Sequence, residues 1–137
     1  MANSDNNLRD IYISSHITDS NFVWSGPNAQ SLPLKTPVHI ITAWNPLGRL
    51  LSLQDNKQRN QSLLNELSKF DVQLKPVIGH SAPKDWQEES FAIYGLTRKQ
   101  ACEIADMFHQ RGIFELSENE LLVIDTNSQN IMRQRAR

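Results

Sequence analysis

The sequence predicts an α+β domain: a mostly antiparallel sheet with two helices, in the order β-β-β-α-β-β-α-β-β. Three observations carry this. Short β-prone runs recur along the chain, bounded by Gly, Pro, Asn and Ser. Two longer stretches space their apolar residues by three and four, and each opens on a hydroxyl residue suited to capping a helix. The strands come in runs punctuated by helices, which favours α+β over a regular βαβ alternation. A chain of 137 residues fits one domain. It can bury roughly two-thirds of its unfolded surface without a metal or disulfide. The expected organisation is a single domain over 1–137, with polar tails at 1–9 and 126–137.

Ile11-Tyr12-Ile13 and Asn21-Phe22-Val23-Trp24 are the first β-prone runs, and the three prolines of residues 25–37 make an irregular loop. Val38 to Trp44 is apolar on both faces, as a central strand is, and Pro46 and Gly48 end it. Ser52 and Asp55 suit the start of a helix, and Leu63, Leu64, Leu67 and Phe70 supply its apolar period. Val72 to Ile78 is the next strand, followed by the loop GHSAPKDW and the strand Glu89–Tyr94. Thr97-x-x-Gln100 fits a capping box for the second helix. Ala101, Ile104, Ala105 and Phe108 form its inner face, and Gly112 is the expected stop. Ile113–Leu116 and Leu121–Ile124 read as a closing hairpin.

Within this pattern, ITAWNPLGRLLSLQDNKQRNQSLL (41–64) is out of place. Positions 56, 60, 63 and 67 share one helical stripe, so Asn56 and Asn60 continue the face that Leu63 and Leu67 turn to the core. Asn45, Asn56, Arg59 and Asn60 should therefore converge where the strand ends and the helix begins. A helix start offers free N–H groups and can hold an anion. The same amides can equally satisfy buried loop backbone, and both readings stay open.

A second feature is GHSAPKDWQEES. Glu89 falls on the side of Phe91 and Ile93, and Glu88 on the side of Ser90 and Ala92. One acid should face inward. Glu89 is the weak catalytic candidate, paired with Arg59 or beside His80 and Trp86, because a desolvated carboxyl can serve as an acid or base. A structural Glu89–Arg59 ion pair explains the residues as well. The loop 79–87 is expected to be mobile.

Other signals exclude more than they suggest. Fourteen basic and fifteen acidic residues give a net charge of −1, which provides no field for nucleic acid or an anionic membrane. No apolar run approaches the ~18 residues of a membrane helix, and the N-terminus lacks a secretory h-region. The four histidines and one cysteine show no metal spacing, so no metal or cofactor is expected. Cys102 reads as a packed residue, and the three Trp are spread for packing rather than base stacking. A cytoplasmic location is expected.

Four motifs, T-A-W-N-P (42–46), N-x-x-R-N (56–60), W-x-E-E-S-F (86–91) and F-x-Q-x-G-I-F (108–114), resemble a family of small bacterial proteins, domain of unknown function 3293. The resemblance covers about Val38 to Ile124. It implies a bacterial or phage source and a cytoplasmic single domain, and it implies no activity. It picks out Thr42, Asn45, Asn56, Arg59, Glu89 and Gln110.

Two functions follow as expectations. The first is a site for a small polar or anionic ligand, including a nucleotide-like one, lined by Thr42, Asn45, Asn56, Arg59, Asn60, His80, Trp86, Glu89 and Gln110. The second is a protein–protein interaction module, an adaptor, inhibitor or regulator docking through a sheet edge or the Trp-bearing loops.

Overall fold

The structure, a computed structural model, describes residues 16–80 and 86–137. Eight strands and two helices alternate as expected from the sequence: β1 (His16–Thr18), β2 (Val23–Ser25), β3 (Val38–Ile41), α1 (Leu53–Leu67), β4 (Gln73–His80), β5 (Gln87–Tyr94), α2 (Arg98–Met107), β6 (Gly112–Leu116), β7 (Glu120–Asp125) and β8 (Ile131–Ala136). They form one antiparallel sheet in the order β2-β1-β4-β5-β3-β6-β7-β8. No helix among the described residues is long and apolar enough to cross a membrane.

The caps lie where the sequence puts them. Ser52 accepts the Asp55 N–H at the start of α1, and Thr97 and Gln100 close a reciprocal box on α2. The end of α2 differs. The left-handed residue is His109 (φ 58°), not Gly112. The N–H of Gln110 returns to the Ala105 carbonyl and that of His109 to Asp106, a Schellman closure built without glycine. Gly112 instead opens β6.

The sheet curls, and that gives it two cores. One lies under the helices, where Ile41, Ile93, Ile113 and Ile124 meet Leu63 and Leu67 of α1 and Ala101, Ile104 and Ala105 of α2. Cys102 is packed in this layer. The other fills the inside of the curl with Ile17, Trp24, Val38, Ile40, Val77, Ala92, Phe114, Leu116, Leu121 and Val123. Two buried faces explain why β3 and β6 carry apolar residues at nearly every position.

The curl brings the two edges of the sheet together. The Gly26 N–H donates to the Arg137 carbonyl (3.1 Å), and the Ser25 hydroxyl takes a bond from Arg135 (3.3 Å). The expected loose tail over 126–137 is thus a strand: β8 pairs along β7 from Glu120↔Ala136 to Ile124↔Ile131 and seals the inner core. Its alternation of long polar residues hides it from an apolar pattern, because its burial is at the seam. The expectations for residues 1–9, for a strand at Ile11–Ile13 and for residues 81–85 of the expected mobile loop 79–87 lie outside the described residues.

A buried ionic cluster pins α2 to the sheet. Arg98 grips Glu115 of β6 through two bonds (2.9 and 2.7 Å), and His39 of β3, fully buried, bonds the same carboxylate at 2.9 Å. The Arg98 bonds, with help from His39, hold the Glu115 carboxyl down at about 2.

Candidate functional site

β3 pairs with β5 as far as Ile41↔Phe91 and then leaves the ladder. Residues 42–45 remain at the middle of the molecule, with Ala43 and Trp44 buried. A backbone that is buried but unladdered needs donors and acceptors from elsewhere. Side chains converge on it from α1, from the α2–β6 loop and from the segment itself.

The Ala43 N–H donates to Oδ1 of Asn60 (2.8 Å), and the Ala43 carbonyl accepts from Nε of Arg59 (2.6 Å). The Trp44 N–H donates to the Thr42 hydroxyl (3.1 Å), and the Trp44 carbonyl accepts from Nε2 of Gln110 (3.0 Å). The Asn45 N–H donates to Oδ1 of Asn56 (2.9 Å), and the Asn45 carbonyl accepts from the Gly48 N–H (3.0 Å). Every backbone polar group of these three residues has a partner. The amides on the inner stripe of α1 are there to replace the missing sheet neighbours.

The clamp extends outward. Asn60 donates its amide to the Glu89 carbonyl (2.8 Å), which also accepts from the Thr42 hydroxyl (2.7 Å). Arg59 reaches the Phe108 carbonyl (2.5 Å), tying α1 to the end of α2, and burial lowers its pKa. The chain then turns sharply through Asn45 (φ 47°) and Leu47 (φ 52°), both left-handed without being glycine. Such conformations cost about 1–2 kcal/mol for a residue like Leu, and the clamp holds them.

The sequence-expected residues separate accordingly. Thr42, Asn45, Asn56, Arg59, Asn60 and Gln110 come together around the backbone of 43–45, and Glu89 joins them through its carbonyl alone. The expected Arg59–Glu89 ion pair is absent. Arg59 spends its donors on two carbonyls, and the half-exposed Glu89 carboxylate pairs with Lys57 (3.0 Å). His80 turns to the β1 side, its ring edge-on to His16 at 5.4 Å. Trp86 lines a small space inside the curl with Thr42, Glu88 and Ser90.

Glu88, not Glu89, is the inward acid. It falls on the face of Ser90 and Ala92, and the curl gives that face a core of its own. Burial pushes its carboxyl up to about 7, against a long hydrogen bond from the Asn45 amide (3.4 Å). Alternation placed Glu88 with the small residues Ser90 and Ala92, and the curl is what encloses that face.

A larger feature escaped the sequence. β1 covers β4 only from Ile78 to His80. Below that point a groove of about 820 Å³ opens between α1, the uncovered edge of β4 and the turn at 19–22. Phe22, Leu64, Val77 and Phe91 supply its apolar walls, and Asp19, Lys57, Lys75 and Glu89 its charges. Asn60 and Glu89 border both the groove and the clamp. Among the described residues no group of three metal-ligating side chains comes together.

The family described as Protein of unknown function (DUF3293) matches residues 41–113, just over half of the chain. The match spans the clamp from the last residue of β3 to Gln110. No curated protein and no solved structure matches.

Proposed function

This chain belongs to the DUF3293 family of proteins of unknown function, and because the family brings no activity with it, we propose from the geometry that the domain binds a small polar molecule in the groove beside α1. The observation that carries this reading is the groove itself. Its volume of about 820 Å³ lies within the range of small-molecule sites, and its lining mixes apolar walls with a few polar groups. Its four charges sum to zero, and two of them, Lys57 and Glu89, neutralise each other. That balance favours a neutral or zwitterionic molecule with one apolar side over a polyanion. The expected ligand amides Asn45, Asn56 and Asn60 serve here as the frame that holds one groove wall in place.

Native mass spectrometry of the chain purified from its own host tests this. A retained small molecule that disappears in a Leu64→Trp variant of unchanged melting temperature supports the groove. The same molecule retained by the variant overturns it.

A second reading, docking of a partner protein, is favoured by one specific observation. Leu47, Leu50, Leu53 and Met107 are all exposed, Leu50 at 86%. The Leu47 N–H bonds the His109 carbonyl, so the segment leading into α1 and the end of α2, which carry these residues, adjoin. Scattered apolar residues are ordinary, but an adjoining group is a mark of an interface. A protein rather than a small molecule retained in the same experiment, and lost on Leu50→Asp, selects this reading.

A further inference from the structure

Inside the curl, between the ends of β3, β5 and β6, lies a space of about 20 Å³, lined in part by Ile40, Thr42, Trp86, Glu88, Ser90 and Phe114. That is room for one water-sized group. Among the described residues its hydroxyl and carboxyl groups, Thr42, Ser90 and Glu88, offer acceptors to the space. The Thr42 hydroxyl gives its proton to the Glu89 carbonyl (2.7 Å), and the Ser90 hydroxyl points its own at the Glu88 carbonyl (3.5 Å). The Thr42 oxygen, which already accepts the Trp44 N–H, keeps one lone pair, and the Ser90 oxygen keeps both. Glu88 contributes a carboxyl whose hydrogen-bond partner among the described residues, the Asn45 amide, stands at 3.4 Å. Among the described residues no Lys, Arg or His lines the space. Trp86 and Phe114 add two aromatic rings.

A group that fits must be small, bring donors only and carry positive charge. A water brings as many acceptors as donors and leaves the carboxylate uncompensated. We propose that this space is a binding site for an ammonium group, either the free ion or the end of a primary alkylamine, held by the Glu88 carboxylate with the Thr42 and Ser90 hydroxyls and covered by Trp86. The site is distinct from the groove beside α1 and does not depend on it. Burial raises the pKa of Glu88 to about 7. Cation and proton then compete for one group, so binding strengthens as the pH rises.

The test uses the whole chain, with the Glu88 carboxyl carbon followed by NMR through a pH titration. Ammonium chloride is compared with tetramethylammonium chloride, whose cation is too large for the space, at equal ionic strength. Ammonium at about ten times its dissociation constant for the ionised site should lower the apparent Glu88 pKa by about one unit while tetramethylammonium leaves it in place. Ammonium affinity should be about 100-fold weaker near pH 5 than near pH 8, the ratio set by ionisation of a group titrating at about 7. Ammonium should also shift the Thr42 and Ser90 backbone amide signals of the parent, and Glu88→Gln should fold and lose that response. n-Butylammonium binding more tightly than ammonium assigns the ligand to the end of an alkyl chain, and weaker binding assigns it to the free ion. Equal shifts in ammonium and tetramethylammonium, or an ammonium response that survives Glu88→Gln, overturn the proposal.

Discussion

Asn56 and Asn45 hold each other at two points. Oδ1 of Asn56 accepts the Asn45 backbone N–H at 2.9 Å, and the Asn56 amide donates to Oδ1 of Asn45 at 2.9 Å. Asn45 in turn accepts the Leu51 N–H at 3.0 Å. One reciprocal pair thus fixes the entry and the exit of the strained turn before α1. It does for the chain what a strand neighbour would have done one residue earlier.

Replacing the amides of α1 with leucine should therefore destabilise the fold even though both positions face the core. Asn60→Leu removes the acceptor for the Ala43 N–H and the donor for the Glu89 carbonyl. Each buried group left unmade costs about 1–3 kcal/mol. Urea melts should show the loss, with Asn56→Leu comparable. An Asn60→Leu variant as stable as the parent would mean that the amide serves something other than the backbone.

Arg59 and Glu89 should behave as independent residues. Arg59→Ala strands the Ala43 and Phe108 carbonyls and should cost about 1–3 kcal/mol. Glu89→Ala breaks only the exposed pair with Lys57, worth up to about 1 kcal/mol. The double variant should lose the sum within about 0.5 kcal/mol. Arg59→Lys should recover little, since one ammonium cannot span two carbonyls in the geometry of Nε and Nη2.

Much of this was legible beforehand. The capped helix starts, the inner stripe of α1 and the convergence of Asn45, Asn56, Arg59 and Asn60 follow from spacing alone. What those side chains bond did not follow, because the need arises where β3 leaves its neighbours, a property of the sheet and not of any window of sequence. The same holds for Glu88. Alternation put one acid on each face of β5, but only the curl decides that the Ser90 face is enclosed while Glu89 meets Lys57 at the rim. β8 was missed because its residues are long and polar and its burial comes from the seam with the β2 edge, although its ladder partner β7 lies next to it in sequence. The groove depends on where β1 stops, which no periodicity records.

Stability should peak at mildly acid pH. Glu115 is held at about 2, so its contribution is present above the ordinary carboxylate range and is lost as the pH falls toward 2. Glu88 is raised to about 7, so its contribution is complete at low pH and is lost as the pH rises from the ordinary range through 7. That second loss is about 3 kcal/mol between pH 5 and pH 8. Denaturation across this range should show the decline in the parent and a much flatter profile in Glu88→Gln. Parallel profiles would contradict the burial of Glu88.

Removal of residues 131–137 should open the inner core. Leu121 and Val123 would lose their cover, and β7 would become an unprotected edge. The shortened chain should bind a hydrophobic dye at neutral pH and self-associate in sedimentation. A monomer with native-like melting would show that β8 is dispensable.

The bond between Gly26 and Arg137, together with the Ser25 contacts made by Arg137 and Arg135, joins segments about 110 residues apart in the chain. Such a junction gains nothing until everything between is ordered, because closing so long a loop early costs entropy with no ladder in return. Assembly therefore has a direction. The hairpins β4–β5 and β6–β7 can zip locally, β3 can slot between them, and Trp24 is shut in only when β8 arrives. On a ribosome the inner core stays open until the final strand has left the exit tunnel. A chain stalled just short of that strand would hold a wetted core behind an otherwise finished sheet, a form well suited to capture by chaperones.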